Sequence, residues 1–299
     1  MFSLLRRLIN SARNRTVSFV ARHAPAEIAV HVQYLEYQGR FGRFRKPRTF
    51  TEHIQHRKLF VDDPRFPLLT DKIEMKRAVE SMLGTGWTIP SLWEGEALPQ
   101  HIDWSLPFVL KASHGCKWNY FAFEEADADR AKLEAAAARW RGHYGKIFRE
   151  RHYSLIKPRL LVEPFMGKGR EPPRDYKFFA FGGEIAFIQF DINRFSGHRR
   201  RTYTIDWKRT PFGWGESYPD FEYDLPPPSS FERMIWAAGR LSEKFEFVRV
   251  DFYEIDGDPK IGELTFFPGS GWDNFFPREY VLKFGKVWSE TKRRLAQNP

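Results

Sequence analysis

The order of apolar and polar positions along the chain predicts a mixture of helices and strands. Thr49 with Glu52 three residues later forms a capping-box signature, which predicts a helix over residues 50–60, and Asp71 introduces a second helix over residues 72–83. Alternating and short apolar runs predict strands elsewhere, and the chain has no internal repeat or low-complexity tract. The remaining predicted elements are helices over residues 126–144 and 229–244, and strands over residues 107–111, 118–123, 159–165, 176–181, 184–191, 247–254 and 260–266.

The last predicted hairpin gathers polar side chains on one face. If its turn is centred on Gly257, Asp251 lies opposite Glu263 and Arg249 lies opposite Thr265, because antiparallel partners are equidistant from the turn. Side chains two apart on a strand share a face, so these four point the same way. The intervening residues are apolar and are expected to face the core: Val250, Phe252, Leu264 and Phe266.

Two carboxylates directly opposite each other on a sheet repel, so the pair of Asp251 and Glu263 needs an explanation. Their oxygens and the hydroxyl of Thr265 suit Mg²⁺, which also leaves coordination positions for water and phosphate oxygens. Arg249 beside them would neutralise phosphate charge. An arginine–carboxylate network on a solvated sheet face accounts for the same residues equally well. Both interpretations stay open on these residues alone.

A second candidate feature is Lys111, which ends a predicted strand and precedes the small-residue loop 112–115. A lysine at such a place can hold a phosphate through its charge while loop N–H groups contact the anion. The chain contains neither the G-x-x-x-x-G-K-[ST] nor the G-x-G-x-x-G spacing. A nucleotide site built on Lys111 must therefore be of another design.

In chain order, these residues resemble the ATP-grasp superfamily and, more closely, the TupA-like ATP-grasp family, which is associated with teichuronopeptide and other surface-polysaccharide biosynthesis. The closer resemblance covers about residues 35–285 and rests on the residue types, the order and the spacing of several motifs taken together. The segments that carry it are 46–52 (Lys-Pro-Arg-Thr-Phe-Thr-Glu), 69–72 (Leu-Thr-Asp-Lys), 175–183 (from Asp175-Tyr-Lys-Phe-Phe to Gly183) and 262–266 (Gly-Glu-Leu-Thr-Phe).

The resemblance implies an α+β chain with the ATP-grasp fold, in which two α+β subdomains hold ATP between them. A basic helical N-terminal extension would occupy residues 1–34, and the ATP-grasp domain residues 35–299. Within that domain the expected parts are 35–105 at the N-terminal side, 106–166 with the phosphate loop and hinge, and 167–299 with the metal-binding residues.

The resemblance also implies a nucleotide-binding role for several residues. Two lysines would contact the phosphates of ATP, the loop after the second lysine would close over them, and two acidic residues would lie at the adenine and ribose. The implied residues are Lys72, Lys111, Ser113, His114, Gly115, Glu163 and Asp175.

The implied metal is Mg²⁺, with Asp251, Glu263 and Thr265 as its ligands, and ATP is the implied nucleotide. Arg249, Lys111 and Lys177 are the implied catalytic residues, and Arg249 would stabilise the transferred phosphoryl group. The wider superfamily has Glu-x-Asn where this chain has Glu263-x-Thr265, so the third ligand differs. A threonine hydroxyl can still coordinate Mg²⁺.

Members of this superfamily mostly join a carboxylate to an amine through an acyl phosphate. The resemblance therefore implies an ATP-dependent amide ligase that modifies a cell-surface polysaccharide or its precursor, with a small or lipid-linked sugar acid and an amine or amino acid as substrates. One alternative is a sugar kinase or glycosyltransferase that uses the same site. The other is a non-catalytic carbohydrate-binding module with a degenerate nucleotide site.

Composition indicates which partners and which cellular location to expect. The 48 Lys and Arg against 38 Asp and Glu give a net charge of +10, concentrated near the N-terminus and at residues 198–201. No nucleic-acid-binding motif accompanies this charge, so nucleic acid is not expected as a partner. The run 198–201 is interpreted either as a binding site for an anionic acceptor or as a solvated loop. The single cysteine, Cys116, excludes an intrachain disulfide and suits a cytoplasmic location.

Residues 1–24 combine apolar positions at helical spacing with five arginines and no acid, which predicts an amphipathic helix. Such a helix suits the anionic inner face of a membrane or an acidic partner. Docking against its own domain with the arginines in solvent is an equally good interpretation. No apolar run approaches the ~18 residues of a spanning helix.

Overall fold

The computed structural model describes residues 17–142, 144–145, 148–193, 196–215, 219–221 and 223–297. The predicted helix over residues 1–24 therefore lies mostly outside the described residues, although 17–23 are helical. Within the described ranges, every helix is too short or too polar to cross a bilayer.

Capping groups set the starts of the helices where the sequence predicts them. The Thr49 hydroxyl accepts from the Glu52 N–H at 3.2 Å, and the Glu52 carboxylate accepts from the Thr49 N–H at 3.1 Å, which completes the capping box. Asp71 accepts from the Ile73 N–H at 2.9 Å. The helices are α1 (Ala26–Gln38), α2 (Phe50–Phe60), α3 (Arg65–Thr70), α4 (Lys72–Leu83), α5 (Arg130–Arg139), α6 (Phe231–Ser242) and α7 (Glu279–Gln297), with 3₁₀ turns at Arg151–Leu155 and Pro268–Gly271.

The strands form a small and a large antiparallel sheet and a two-stranded ribbon. The small sheet has the order β1-β4-β2-β3, the large sheet β10-β9-β5-β6-β7, and the ribbon β11-β8. The strands are β1 (Trp93–Gly95), β2 (Phe108–Ala112), β3 (Asn119–Ala122), β4 (Leu160–Pro164), β5 (Asp175–Phe181), β6 (Glu184–Ile192), β7 (Arg199–Tyr203), β8 (Gly213–Trp214), β9 (Val248–Ile255), β10 (Asp258–Thr265) and β11 (Phe275–Phe276).

Each of the two larger sheets has its own hydrophobic core, which confirms the α+β fold class. The small sheet packs Leu110 and Val162 against Leu133 of α5. The core of the large sheet is rich in aromatic side chains and includes Phe50 of α2, although α2 precedes the small sheet in the chain. Phe50 packs edge-to-face against Phe247 at a centroid distance of 5.0 Å. Helix α1 continues across the predicted boundary at residue 34.

The structure differs from the sequence prediction at three elements: one begins later, one was interpreted as a loop, and one was not predicted. Helix α5 begins at Arg130, not at residue 126, because Asp127 accepts from the Phe123 N–H at 3.0 Å and Asp129 caps the helix. The solvated-loop interpretation of residues 198–201 is wrong, since β7 begins at Arg199. Helix α7, which the sequence patterns did not reveal, packs on α2 and covers one face of the large sheet.

The last hairpin has the predicted pairing at its charged end, although its turn differs. Asp256 and Gly257 both have positive φ, 50° and 82°, and form a two-residue turn. A β-bulge between Ile261 and Glu263 shifts the register by one residue and brings Glu263 opposite Asp251. Without that bulge, Asp251 would lie opposite a glycine. The apolar residues expected in the core are buried there: Val250, Phe252, Leu264 and Phe266.

Candidate active site

A row of polar side chains crosses the large sheet. Each residue of the row is the direct cross-strand partner of the next, from β10 through β9, β5 and β6 to β7. Cross-strand partners project from the same face, so the row forms one polar strip beside the aromatic core. The row consists of Glu263, Asp251, Lys177, Gln189 and Thr202.

Arg249 ties the two strands of the last hairpin together. Its Nε and Nη2 each donate to one oxygen of Asp251 at 2.6 Å, and Nη2 also donates to the Thr265 hydroxyl at 3.1 Å. Burial alone would lower the pKa of Arg249, but Asp251 raises it, and the net pKa lies above the usual range. The guanidinium is therefore held charged, and the predicted common face of Arg249, Asp251 and Thr265 is confirmed.

The predicted metal ligands lie together, and their chemistry fits Mg²⁺. The Glu263 carboxylate makes no hydrogen bond or ion pair with any residue that the structure describes. Each Asp251 oxygen retains a lone pair beyond its bond to Arg249, and Thr265 adds a hydroxyl. No cluster of three or more His, Cys, Asp or Glu side chains suited to a metal occurs in the described ranges. A magnesium ion here would complete its shell with water or phosphate oxygens.

Lys177 is nearly buried among acidic side chains of the large sheet. It is 8% exposed and contacts the Asp175 carboxylate. Its Nζ also lies 3.6 Å from both the Asp191 and the Asp251 carboxylates. The predicted residues Asp175, Lys177 and Asp251 are thus neighbours, and Lys177 extends the positive charge of Arg249 along the strip.

Strand β7 supplies arginines next to the polar strip, within the run that the sequence offered as a binding site for an anionic acceptor. Arg200 donates from Nε to Asp191 at 2.7 Å. Arg201 is 4% exposed and donates to Asp220 at 2.7 Å. Burial would raise the pKa of Asp191, but His198 and the neighbouring cations lower it far below its usual range. The sequence signal for this strand is the pair Thr202-Tyr203, which follows the arginines, because threonine and tyrosine favour strands.

In the small sheet, Glu163 joins two lysines. It is 4% exposed, and its carboxylate contacts both Lys111 of β2 and Lys76 of α4. Burial would raise the pKa of Glu163, but the two lysines lower it below its usual range. Burial lowers the pKa of Lys76, and Glu163 opposes that shift. Sequence reasoning missed Lys76, whose only signal is its position one helical turn after Lys72.

The loop that follows Lys111 is held against the start of α4. The Lys72 ammonium donates to the Gly115 carbonyl at 2.5 Å, and the Lys72 N–H donates to the Ser113 carbonyl at 3.1 Å. A Cβ at Gly115 would lie 2.3 Å from the Trp118 ring, so only glycine permits this close approach. The predicted phosphate-binding residues Lys72, Ser113 and Gly115 therefore lie side by side.

His114 points into the protein from this loop. Its ring is 2% exposed, and Nε2 donates to the Trp140 carbonyl at 2.8 Å. Burial lowers the pKa of its imidazole, which keeps the ring neutral. In this structure His114 anchors the loop, and a contact between its Nε2 and a phosphate stays a prediction.

The loop 112–115, predicted to bind phosphate, is near the hairpin of β9 and β10. Cys116 follows the loop, and burial raises the pKa of its thiol, with Glu263 adding to the shift while Lys72 and Arg249 oppose it. Cys116 lies between β2 and β3 of the small sheet, Lys72 begins α4, and Glu263 and Arg249 lie on the large sheet. The cleft between the small and large sheets therefore brings the predicted lysines and the predicted metal ligands to one place.

Helix α2 holds the turn Pro268–Gly271, which follows β10. The Lys58 ammonium donates to the Ser270 carbonyl at 2.5 Å and lies 2.6 Å from its hydroxyl. Gln55 donates to the carbonyls of Ser270 and Gly271 at 3.0 and 3.2 Å. Burial lowers the pKa of Lys58 to about 7, which Glu150 opposes. The turn at the end of β10, which carries the predicted metal ligands Glu263 and Thr265, is thus fixed from outside the sheet.

A protein-family model described as TupA-like ATP-grasp matches residues 52–288. The chain belongs to the TupA-like ATP-grasp family. The match confirms the fold expected from the resemblance. It covers both sheets and every residue of the predicted site, so the cleft described above lies within the matched part of the chain.

The solved structures that are similar to this chain include several ligases. One is an L-amino acid ligase from Bacillus licheniformis, with 14% identity and a TM-score of 0.42 over 84% of this chain and 50% of that one. A D-alanine–D-alanine ligase from Helicobacter pylori has 15% identity and a TM-score of 0.40 over 77% and 58%. N5-carboxyaminoimidazole ribonucleotide synthetase from Thermus thermophilus has 12% identity and a TM-score of 0.38 over 80% of this chain and 52% of that one. This chain thus spans 50 to 58% of their lengths. A search of curated proteins found no match.

Proposed function

We propose that this TupA-like ATP-grasp protein is an ATP-dependent, ADP-forming ligase that joins a carboxylate to an amine. The observation that carries the proposal is the cleft in which the loop beside Lys72 faces Glu263 and Arg249. Such a cleft places Lys72 and Lys111 on one wall and the carboxylates for Mg²⁺, together with Arg249 and Lys177, on the other. Closure of the two sheets over bound substrates would exclude water, which would otherwise hydrolyse an activated intermediate.

Each group of residues has a distinct task in this proposal. Asp251, Glu263 and Thr265 would hold Mg²⁺, and the cationic side chains would bind and orient the phosphates. Bound ATP supplies the phosphoryl group: a carboxylate oxygen of the substrate attacks the γ-phosphorus and ADP leaves. The neutral amine nitrogen then attacks the acyl carbon, the bond from that carbon to the phosphate oxygen breaks, and the leaving phosphate takes the proton that the nitrogen releases. Arg249 is buried and charged, so it can stabilise negative charge on the phosphoryl group without reorganisation. The cations are Lys72, Lys111, Lys177 and Arg249.

The proposed substrates are a sugar acid of a cell-surface polysaccharide or its precursor and an amine or amino acid. The family resemblance supports this class, and the net charge of +10 favours an anionic acceptor. We place the reaction in the cytoplasm, with the N-terminal arginines against anionic lipid at the inner face of the membrane. Binding of the chain to phosphatidylglycerol vesicles, with and without residues 1–24, tests that contact.

The test of the ligase uses hydroxylamine, which traps an acyl phosphate as a hydroxamate. Wild-type protein, ATP and Mg²⁺ are incubated with glucuronic or galacturonic acid, and ADP and hydroxamate are measured. Glu263→Gln is expected to lose both products, whereas Asp103→Asn, at an exposed carboxylate outside the cleft, keeps them. A phosphorylated sugar without hydroxamate would indicate a kinase. Absence of ATP binding in the wild type would indicate a carbohydrate-binding module.

A further inference from the structure

The partly buried Asp273 carboxylate has no hydrogen-bond or ion-pair partner among the residues that the structure describes. Its side chain rests against the turn that follows the metal-binding strand. A Cβ on Gly269 would lie 2.3 Å from the Asp273 Oδ2, and Gly269 has a φ of 53°. Glycine at position 269 therefore both permits the turn and leaves the space that the carboxylate occupies.

Backbone contacts tie the segment of Asp273 to the far end of the polar strip. The N–H of Gly215 donates to the Asn274 carbonyl at 2.9 Å. Arg200 donates from Nη1 to the Trp214 carbonyl at 3.2 Å and from Nε to Asp191. Asp273 is thus held between the turn that leaves β10 and the arginine end of the large sheet.

The charges that act on Asp273 come from both walls of the cleft. Burial raises the pKa of its carboxyl, and Arg200, Arg249 and Lys117 oppose that shift. Lys117 belongs to the loop of the small sheet, and the two arginines belong to the large sheet. Since Arg200 is paired with Asp191 and Arg249 with Asp251, these arginines already have closer anionic partners.

A partly buried carboxylate without a partner costs free energy unless a ligand compensates it. The arginines near Asp273 already pair with other carboxylates. The ligand that would compensate Asp273 is therefore a cation. A primary amine carries an ammonium group at neutral pH, with three donors for a carboxylate. In the proposed reaction the amine must reach the acyl carbon close to Arg249, whose charge also acts on Asp273.

We propose that Asp273 binds the ammonium group of the amine substrate and thereby selects a primary amine, such as the α-amino group of an amino acid. The Asp273 carboxylate then takes one proton from the ammonium, so that the nitrogen lone pair can attack the acyl carbon. This inference rests on the proposed ligase function. It assigns to Asp273 the choice of the second substrate, whereas the phosphate-binding and metal-binding residues serve the first step.

The test compares binding of ethylammonium, the probe for a primary amine, in four full-length proteins. Ligand-observed NMR titrations are run on the wild type, Asp273→Asn, Asp273→Glu and the control Asp103→Asn, with and without Mg²⁺ and a non-hydrolysable ATP analogue. Saturable binding is expected in the wild type and the control. Asp273→Asn is expected to bind at least tenfold more weakly, and Asp273→Glu to retain binding. Melting temperatures of the variants that are no lower than that of the wild type without ligand exclude misfolding as the cause.

Two results would overturn the inference: ethylammonium binds Asp273→Asn as tightly as the wild type, or the wild type does not bind it at all. A thermal-shift titration with ATP and Mg²⁺ on the same four proteins separates this failure from that of the proposed function. A wild-type protein that shifts with ATP but ignores ethylammonium contradicts only the role of Asp273. A protein that binds ethylammonium through Asp273 but never binds ATP contradicts only the ligase.

Discussion

Arg249 binds Asp251 through two parallel hydrogen bonds, from Nε and Nη2 to the two carboxylate oxygens, each 2.6 Å long. The two residues lie two positions apart on β9, so the ion pair forms within one strand. Glu263, on the neighbouring strand, has no ion-pair partner among the residues that the structure describes. A bidentate pair fixes both the position and the plane of the guanidinium. The cation expected at the transferred phosphoryl group is therefore preorganised by a predicted metal ligand.

Replacing Arg249 with lysine is expected to keep the charge but lose the bidentate geometry, because an ammonium is a point charge without a planar fork. We expect ADP formation to fall by about 10²–10³-fold, the effect of losing one preorganised electrostatic group. Steady-state ADP release measures it. Arg240→Lys, at an exposed ion pair on α6, is the matched control and should keep wild-type turnover.

Replacing Glu163 with glutamine is expected to destabilise the fold by about 3–5 kcal/mol, because two lysines would then face each other in a buried place without a counter-charge. Urea unfolding measures the free energy of unfolding. Glu134→Gln, at an exposed pair with Arg130, should change it by less than about 1 kcal/mol. The double variant Glu163→Gln with Lys76→Met should recover part of the loss, and no recovery would contradict the ion-pair explanation.

Replacing Gly115 with alanine is expected to displace the phosphate loop, since the new Cβ would lie 2.3 Å from the Trp118 ring. We expect ATP affinity, measured by calorimetry, to fall at least tenfold because the loop carbonyl bound by Lys72 would move. Gly142→Ala is the matched control, since a Cβ there meets nothing within 4 Å. Unchanged affinity in Gly115→Ala would show that the loop does not contact the nucleotide.

The stability of the fold is expected to depend on pH through His53. Its ring stacks on Trp288 and its Nε2 bonds Ser289 at 3.0 Å, and burial lowers the pKa of the imidazole from 6.5 to about 4. Below pH 6.5 the unfolded chain takes up a proton that the folded protein does not, so the free energy of unfolding falls as the pH drops from 6.5 to 4. A shift of this size corresponds to about 3 kcal/mol.

Urea unfolding of the wild type and His53→Gln across that pH range tests this contribution. The variant is expected to have a flatter profile, with the same replacement at the exposed His101 as the control. Parallel profiles for the wild type and His53→Gln would assign the pH dependence to other groups.

The sequence alone was sufficient where the signal is local. The capping box of Thr49 and Glu52 predicts the start of α2, and Asp71 predicts that of α4, because each cap bonds a backbone group within three residues. Alternation in β9 and β10 predicts the core-facing residues, because the side-chain period of a strand is two. The order and spacing of the lysines and carboxylates can also be taken directly from the sequence, and they were sufficient to indicate the family.

Tertiary structure decided what depends on partners that are distant in sequence. The pairing of Asp251 with Glu263 requires a bulge near Ile261, which no residue pattern revealed. Lys76 acquires its role only because folding brings it to Glu163, and Arg201 is buried only because acidic side chains meet it. A charged side chain is buried when a counter-charge offsets its desolvation. The sequence by itself therefore determined the local elements and the family, and the packing of distant segments determined which charges form the cleft.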